Sequence, residues 1–148
     1  MNVPMLLGEW GAFEGDAVPA ARLIGRMLEE SLSSDTFWVY KKGVENAPYF
    51  RMIQRPYPSA VPGTMVRYGL DPGTGIFECV WKEQPHATQP SRFYVPALWY
   101  SAGCEVELEP TGKGYRFEQV GADEHNGYLS VVPTGQAIER RLTISPRK

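Results

Sequence analysis

Beyond residue 63 the chain is cut at short intervals by turn-forming clusters: Asp71-Pro72-Gly73, Pro110-Thr111-Gly112, residues 121–127 and Pro133-Thr134-Gly135. Glycine frees φ and proline fixes it, so such clusters mark turns rather than the interiors of helices or strands. Between them lie seven strand candidates, at residues 64–70, 76–81, 92–95, 105–108, 115–120, 128–132 and 137–144. Several alternate. Cys104, Val106 and Leu108 oppose Glu105, Glu107 and Glu109, while Ile138, Leu142 and Ile144 oppose Glu139, Arg141 and Thr143. A period of two buries one face of a strand and wets the other. Seven short, half-buried strands at this spacing predict an antiparallel β-sandwich of about 85 residues.

The chain ahead of this region has a different grammar. Residues 3–7 are a continuous apolar run ending at Gly8, which reads as a strand buried on both faces, the mark of a parallel sheet. A helix is predicted over residues 18–33, with Ala20, Ile24, Met27, Leu28 and Leu32 on its inner face. Asp16 is its expected cap, and Pro19 fits only because it stands in the first turn. Thr36-Phe37-Trp38-Val39-Tyr40 is β-branched and aromatic, a second strand. Strand, helix and strand within 40 residues imply a parallel pair joined by a right-handed crossover. Residues 41–63 hold many breakers and read as a linker or wrapping segment. The expected division is 1–54 and 55–148, and the fold class is α+β, mostly β.

At 148 residues the chain is long enough to bury roughly two thirds of its surface. It has no run of ~18 apolar residues that would cross a membrane as a helix. The net charge is −2, and Lys and Arg are scattered, so a nucleic-acid partner is not expected. Met1-Asn2-Val3-Pro4 has no basic or long apolar stretch of the signal-peptide kind, which makes a cytoplasmic location the default and secretion the outcome of a longer precursor. Cys79 and Cys104 both fall at inward strand positions and read as small buried hydrophobes, although one bridge between them is conceivable. His86 and His125 are isolated from other metal-ligand types, so neither a metal nor any other cofactor is expected.

The sharpest chemical feature is Leu7-Gly8-Glu9-Trp10-Gly11, a carboxylate at the C-terminal tip of the first strand. In a β/α barrel, strand tips and the loops after them line the active face. Flanking glycines let other groups approach the backbone, and Trp10 adds a flat apolar surface. The bland alternative is a solvated glutamate at a strand end. Glu14 follows on the same loop, and Glu45, Glu78 and Glu83 carry no motif. Trp81, Trp99, Tyr57, Tyr94 and Tyr100 either form a sugar- or lipid-facing platform or fill the sandwich core.

Leu7-Gly8-Glu9-Trp10-Gly11 resembles the nucleophile motif of family-5 glycoside hydrolases, at the end of the seventh strand of their eight-fold TIM barrel. The helix and Thr36-Phe37-Trp38-Val39-Tyr40 resemble that family's seventh helix and eighth strand, and Trp38 matches the tryptophan beside the sugar being cleaved. Residues 55–64, beginning Arg55-Pro56-Tyr57-Pro58, and Tyr94-Val95-Pro96-Ala97 resemble the C-terminal β-sandwich of the endoglycoceramidase-like branch. The resemblance implies a β-linked glycoside substrate, such as a glycolipid, with Glu9 as nucleophile and Trp38 and Trp10 shaping the subsites. It also implies a gap. Retaining glycosidases need a second carboxylate ~5–5.5 Å from the first, and the family's Asn-Glu-Pro acid/base motif occurs nowhere in this sequence. Residues 1–54 therefore read as the end of an incomplete barrel, inactive alone, which must pack on the sandwich, on another copy or on the missing barrel half. The reading from another class is a non-catalytic sandwich that binds carbohydrate or lipid or plays a structural part.

Overall fold

The computed structural model describes residues 5–11, 13–15, 17–110 and 114–147. The chain divides into two compact units, Met1–Gln54 and Arg55–Lys148.

In the first unit, β1 (Leu6–Gly11) pairs in parallel with β2 (Ser34–Trp38), and α1 (Val18–Ser31) connects them. Pro19 stands in the first turn of α1, and the N-cap position is Ala17, without a side-chain cap. The expected cap, Asp16, lies outside the described residues. The helix stops where Leu32 turns left-handed at φ 52°. The Leu32 and Ser33 amides then donate to the Glu29 and Leu28 carbonyls, satisfying helix-end acceptors. β2 begins two residues before the predicted strand. Asp35, which looks like a poor strand residue, accepts the Trp10 indole N–H at 2.7 Å.

Two expectations for this unit need correction. The buried stripe of α1 is Ala21, Gly25, Leu28 and Glu29, while Ala20 is exposed and Met27 is 59% exposed. β1 is not covered on both faces: Leu6 is 65% exposed and Leu7 40%. Val3 and Pro4 of the same run lie outside the described residues. A parallel pair needs cover on both faces, and here the described sheet has only two strands. Within the segment read as a linker lie a 3₁₀ turn (Val44–Asn46) and the short α2 (Phe50–Ile53).

The second unit is the expected antiparallel β-sandwich. One sheet has the order β4 (Gly63–Leu70), β5 (Phe77–Glu83), β10 (Glu139–Pro146), β7 (Cys104–Glu109). The other has the order β3 (Tyr57–Ala60), β6 (Ser91–Val95), β9 (Gly127–Val131), β8 (Tyr115–Gln119). All seven predicted strands are present, within one to two residues at most ends, and β3 is additional. The Pro110-Thr111-Gly112 turn falls partly outside the described residues. Inward residues of the two sheets meet in one core: Phe77, Cys79, Trp81, Leu142 and Ile144 from the first, Phe93, Val95, Leu129 and Val131 from the second. The Phe93 ring lies 5.4 Å from Trp81 and 6.5 Å from Phe77, so aromatic contacts tie sheet to sheet. Both cysteines are free thiols, and burial pushes that of Cys79 up to about 12.

A charged pair sits at one end of this core. Glu83 of β5 and Arg140 of β10 have fully buried side chains and meet at 2.9 Å. The other oxygen of Glu83 accepts from the Thr134 amide, the Thr134 hydroxyl and the Gly135 amide at 2.6, 2.6 and 2.8 Å. The carboxylate thereby pins the 133–135 turn to the sandwich. Burial alone would raise its pKa, but these donors and Arg140 outweigh it and hold the carboxyl below its ordinary value.

Candidate active site

The register of β1 on β2 fixes what the site can be. Leu7 stands opposite Asp35 and Trp10 opposite Phe37, so three steps along β1 match two along β2. The extra residue makes a bulge spanning Gly8 and Glu9, and the Thr36 hydroxyl donates to the Gly8 carbonyl there. Bulges re-aim a side chain and are common beside functional sites. Glu9 emerges from it exposed to solvent.

Trp10 points the other way. It is 7% exposed and donates to Asp35. Its ring meets Phe37 edge-on at 5.4 Å and Phe13 at 6.0 Å, and Phe13 meets Tyr49 at 5.1 Å. Four aromatic rings and one partly buried hydrogen bond thus anchor the strand on the face away from Glu9. One residue further on, Gly11 pairs with Trp38. Its φ is +121°, and a Cβ there would strike the Trp38 carbonyl oxygen and lie 2.5 Å from the Phe37 ring. Only glycine allows the strand ends to close to this separation. Trp38, at the C-terminal end of β2, is 53% exposed, and the Trp38–Val39 peptide is cis.

Of the three residues singled out from sequence, Glu9, two residues before the end of β1, and Trp38, at the end of β2, are both open to solvent. Trp10 offers almost no surface. Glu14 is exposed on the loop before α1, Glu45 accepts from Tyr40 and the Gly43 amide, Glu78 pairs with Arg67, and Glu83 is sequestered. Among the described residues no group of three metal-ligand side chains converges. An open apolar groove of about 340 Å³ runs between β1 and α1, lined chiefly by Leu6, Leu7, Ile24 and Met27.

The aromatic candidates separate cleanly. Trp81, Trp99 and Tyr100 are 0%, 4% and 1% exposed and belong to the core. Tyr57 is 39% exposed and Tyr94 half-buried.

The family model for the glycoside hydrolase family 5 C-terminal domain matches residues 55–145, and the chain belongs to that family. Among solved structures, it is similar to endoglycoceramidase II from Rhodococcus sp. One is a cellobiose-like imidazole complex, at TM-score 0.73 and 20% identity over 99% of this chain and 34% of that one. Another is a ganglioside GM3 complex, at TM-score 0.68 and 22% identity over 99% and 32%. Sterylglucosidase 1 from Cryptococcus neoformans matches at TM-score 0.68 and 14% identity over 99% and 29%. No curated protein sequence matches. The chain spans about a third of the length of these solved proteins. At such identities the likeness is one of fold, and it extends over the strand–helix–strand unit as well as the sandwich.

Proposed function

We propose that these 148 residues supply the nucleophile and the last two strands of a retaining β-glycosidase barrel, together with its C-terminal sandwich. One observation carries this most: Glu9 projects from a bulge at the C-terminal end of a parallel strand whose tip pairs, through Gly11, with the exposed Trp38. In the completed barrel, Glu9 attacks the anomeric carbon of a β-linked sugar. A glycosyl-enzyme forms as the leaving group takes a proton from a second carboxylic acid, which then assists water in hydrolysis. Trp38 forms the apolar wall under the sugar ring. Trp10 acts from behind, holding β1 on β2 through Asp35 and Phe37 so that Glu9 keeps its direction. Glycolipids are the favoured substrates, because a solved structural neighbour is a ganglioside complex.

The exposed residues support the barrel as the missing partner. The described parallel sheet has two strands only. Met5, Leu6, Leu7, Leu23 and Met27 are exposed around it. On average a little over half of each side chain is still uncovered, and covering it contributes about 4–8 kcal/mol in all, a large share of the stability of a domain. Barrel strands paired to the open edges supply that cover and also the acid/base.

The reading is tested with an aryl β-cellobioside. The chain alone turns over none. Assembled with a polypeptide that carries the preceding barrel units and an acid/base glutamate, it turns the substrate over, and Glu9→Gln abolishes the activity. Turnover by the chain alone, or an assembled Glu9→Gln enzyme of parental rate, would overturn it.

A further inference from the structure

The two outer faces of the sandwich differ in kind. On the sheet β4-β5-β10-β7 several outward residues are ionic: Arg67 pairs with Glu78, and Arg141 lies 3.8 Å from Glu78 and 3.7 Å from Glu109. On the sheet β3-β6-β9-β8 three tyrosines stand in one file across adjacent strands. Tyr57 of β3 is opposite Tyr94 of β6, and Tyr94 is opposite Tyr128 of β9. Neighbouring ring centroids are 5.3 and 5.5 Å apart, with planes tilted by 42° and 53° to one another. The file ends at Glu118 of β8, opposite Tyr128. In the next row Arg92 stands opposite Ser130. The Arg92 guanidinium lies 4.3 Å from the Tyr128 ring centroid and 3.3 Å from Glu118. At the other margin, the Tyr94 hydroxyl donates to Asn126 at 3.0 Å.

Cross-strand aromatic pairs stabilise a sheet by only about 0.2–1 kcal/mol each, and a sheet face turned to water does not need three of them in line. A file of tilted rings, capped at the Tyr128 end by the Arg92 guanidinium and bordered by a carboxylate and a hydroxyl, is chemically suited to a sugar. Its C–H face packs on the ring, while its hydroxyls reach the polar border. A protein partner requires roughly 800 Å² on each side, more than a file one ring wide supplies. We propose that Tyr57 and Tyr94 form the stacking surface of a saccharide-binding platform for a β-linked oligosaccharide, with Arg92, seated over Tyr128, and Glu118 and Ser130 as its hydrogen-bonding border. The platform is separate from Glu9 and stands whether or not Glu9 is a nucleophile.

The test is a titration of the full 148-residue chain with cellohexaose, followed by NMR of the tyrosine rings and the Arg92 side chain. These signals move together and saturate, while the signals of core residues Phe93 and Leu129 stay in place and report an intact fold. Tyr57→Ala weakens binding roughly fivefold, whereas Tyr57→Phe, which keeps the ring, stays within about twofold of the parent. Glu9→Gln leaves this binding unchanged, so a failure of the catalytic assignment remains distinguishable from a failure of this one. Tyrosine signals that do not move with cellohexaose, or Tyr57→Ala binding as tightly as the parent, would overturn the platform.

Discussion

Changing Glu83 to Gln keeps the size and shape of a buried side chain and removes its charge. The oxygen bonded to Thr134 and Gly135 is retained, but an amide N–H₂ now faces the Arg140 guanidinium, and two donors meet where a charged pair stood. The remaining acceptor of that guanidinium is the Val132 carbonyl at 3.4 Å, while its Nε and Nη2 already lack a partner among the described residues. Breaking one side of a buried ion pair costs about 3–5 kcal/mol, and a hydrogen bond to a charged group contributes about 1.5–3 kcal/mol. Both routes give about 3 kcal/mol at neutral pH, which lowers the melting temperature of a domain this size by about 12–24 °C.

The pH dependence adds a sharper signature. The folded pKa of Glu83 lies below its ordinary value of 4.5. Its contribution is therefore complete above that value and is lost as pH falls through the lower folded value. Urea denaturation of the parent and of Glu83→Gln, followed by ellipticity from pH 7 to pH 2.5, should show a wide gap that closes on the acid side. A gap under about 1 kcal/mol at pH 7, or one that stays constant to pH 2.5, would refute the assignment of this pair as a pin for the 133–135 turn.

Three further outcomes are expected. Gly11→Ala places a methyl group against the Trp38 carbonyl and the Phe37 ring, so β1 and β2 separate at their tips and Trp38 emission shifts; an unchanged spectrum would contradict the close approach. Trp10→Phe deletes the Asp35 hydrogen bond while keeping an aromatic ring; it should cost about 1.5–3 kcal/mol in the first unit, read by its amide-exchange rates. With N-ethylmaleimide at pH 8 the folded chain should take up one label, at the half-buried Cys104. Cys79, raised to about 12 and sealed in the core, reacts only in denaturant, and equal labelling of both would contradict the packing.

The sandwich was legible because its signals are local: turn clusters set the strand limits, and alternation set the inward faces. β3 was missed because Pro56 and Pro58 read as breakers. It is an edge strand, hydrogen-bonded only to β6, and an edge tolerates proline. The Glu83–Arg140 pair was missed for another reason. Each residue continues an inward series, Glu83 after Phe77, Cys79 and Trp81, and Arg140 before Leu142 and Ile144. A charge at an inward position was the available signal, but its partner is 57 residues away. The face of α1 was misjudged at Ala20 and Met27 because the spacing of apolar residues does not say which side is covered: the buried stripe runs through Ala21, Gly25 and Leu28, and Met27 is exposed. Tyr57 and Tyr94 were visible as candidates. Tyr128 joins them only through strand register, which no local pattern encodes.

The role of Glu9 is most directly tested by a covalent trap. The chain, assembled with a polypeptide that carries barrel units and an acid/base glutamate, is incubated with 2,4-dinitrophenyl 2-deoxy-2-fluoro-β-cellobioside, digested, and sequenced by mass spectrometry. The modified sugar should be found esterified to Glu9 and to no other side chain. A label on a different carboxylate, or equal labelling of Glu9→Gln protein, would mean that the exposed acid on this bulge is not the group that attacks the sugar.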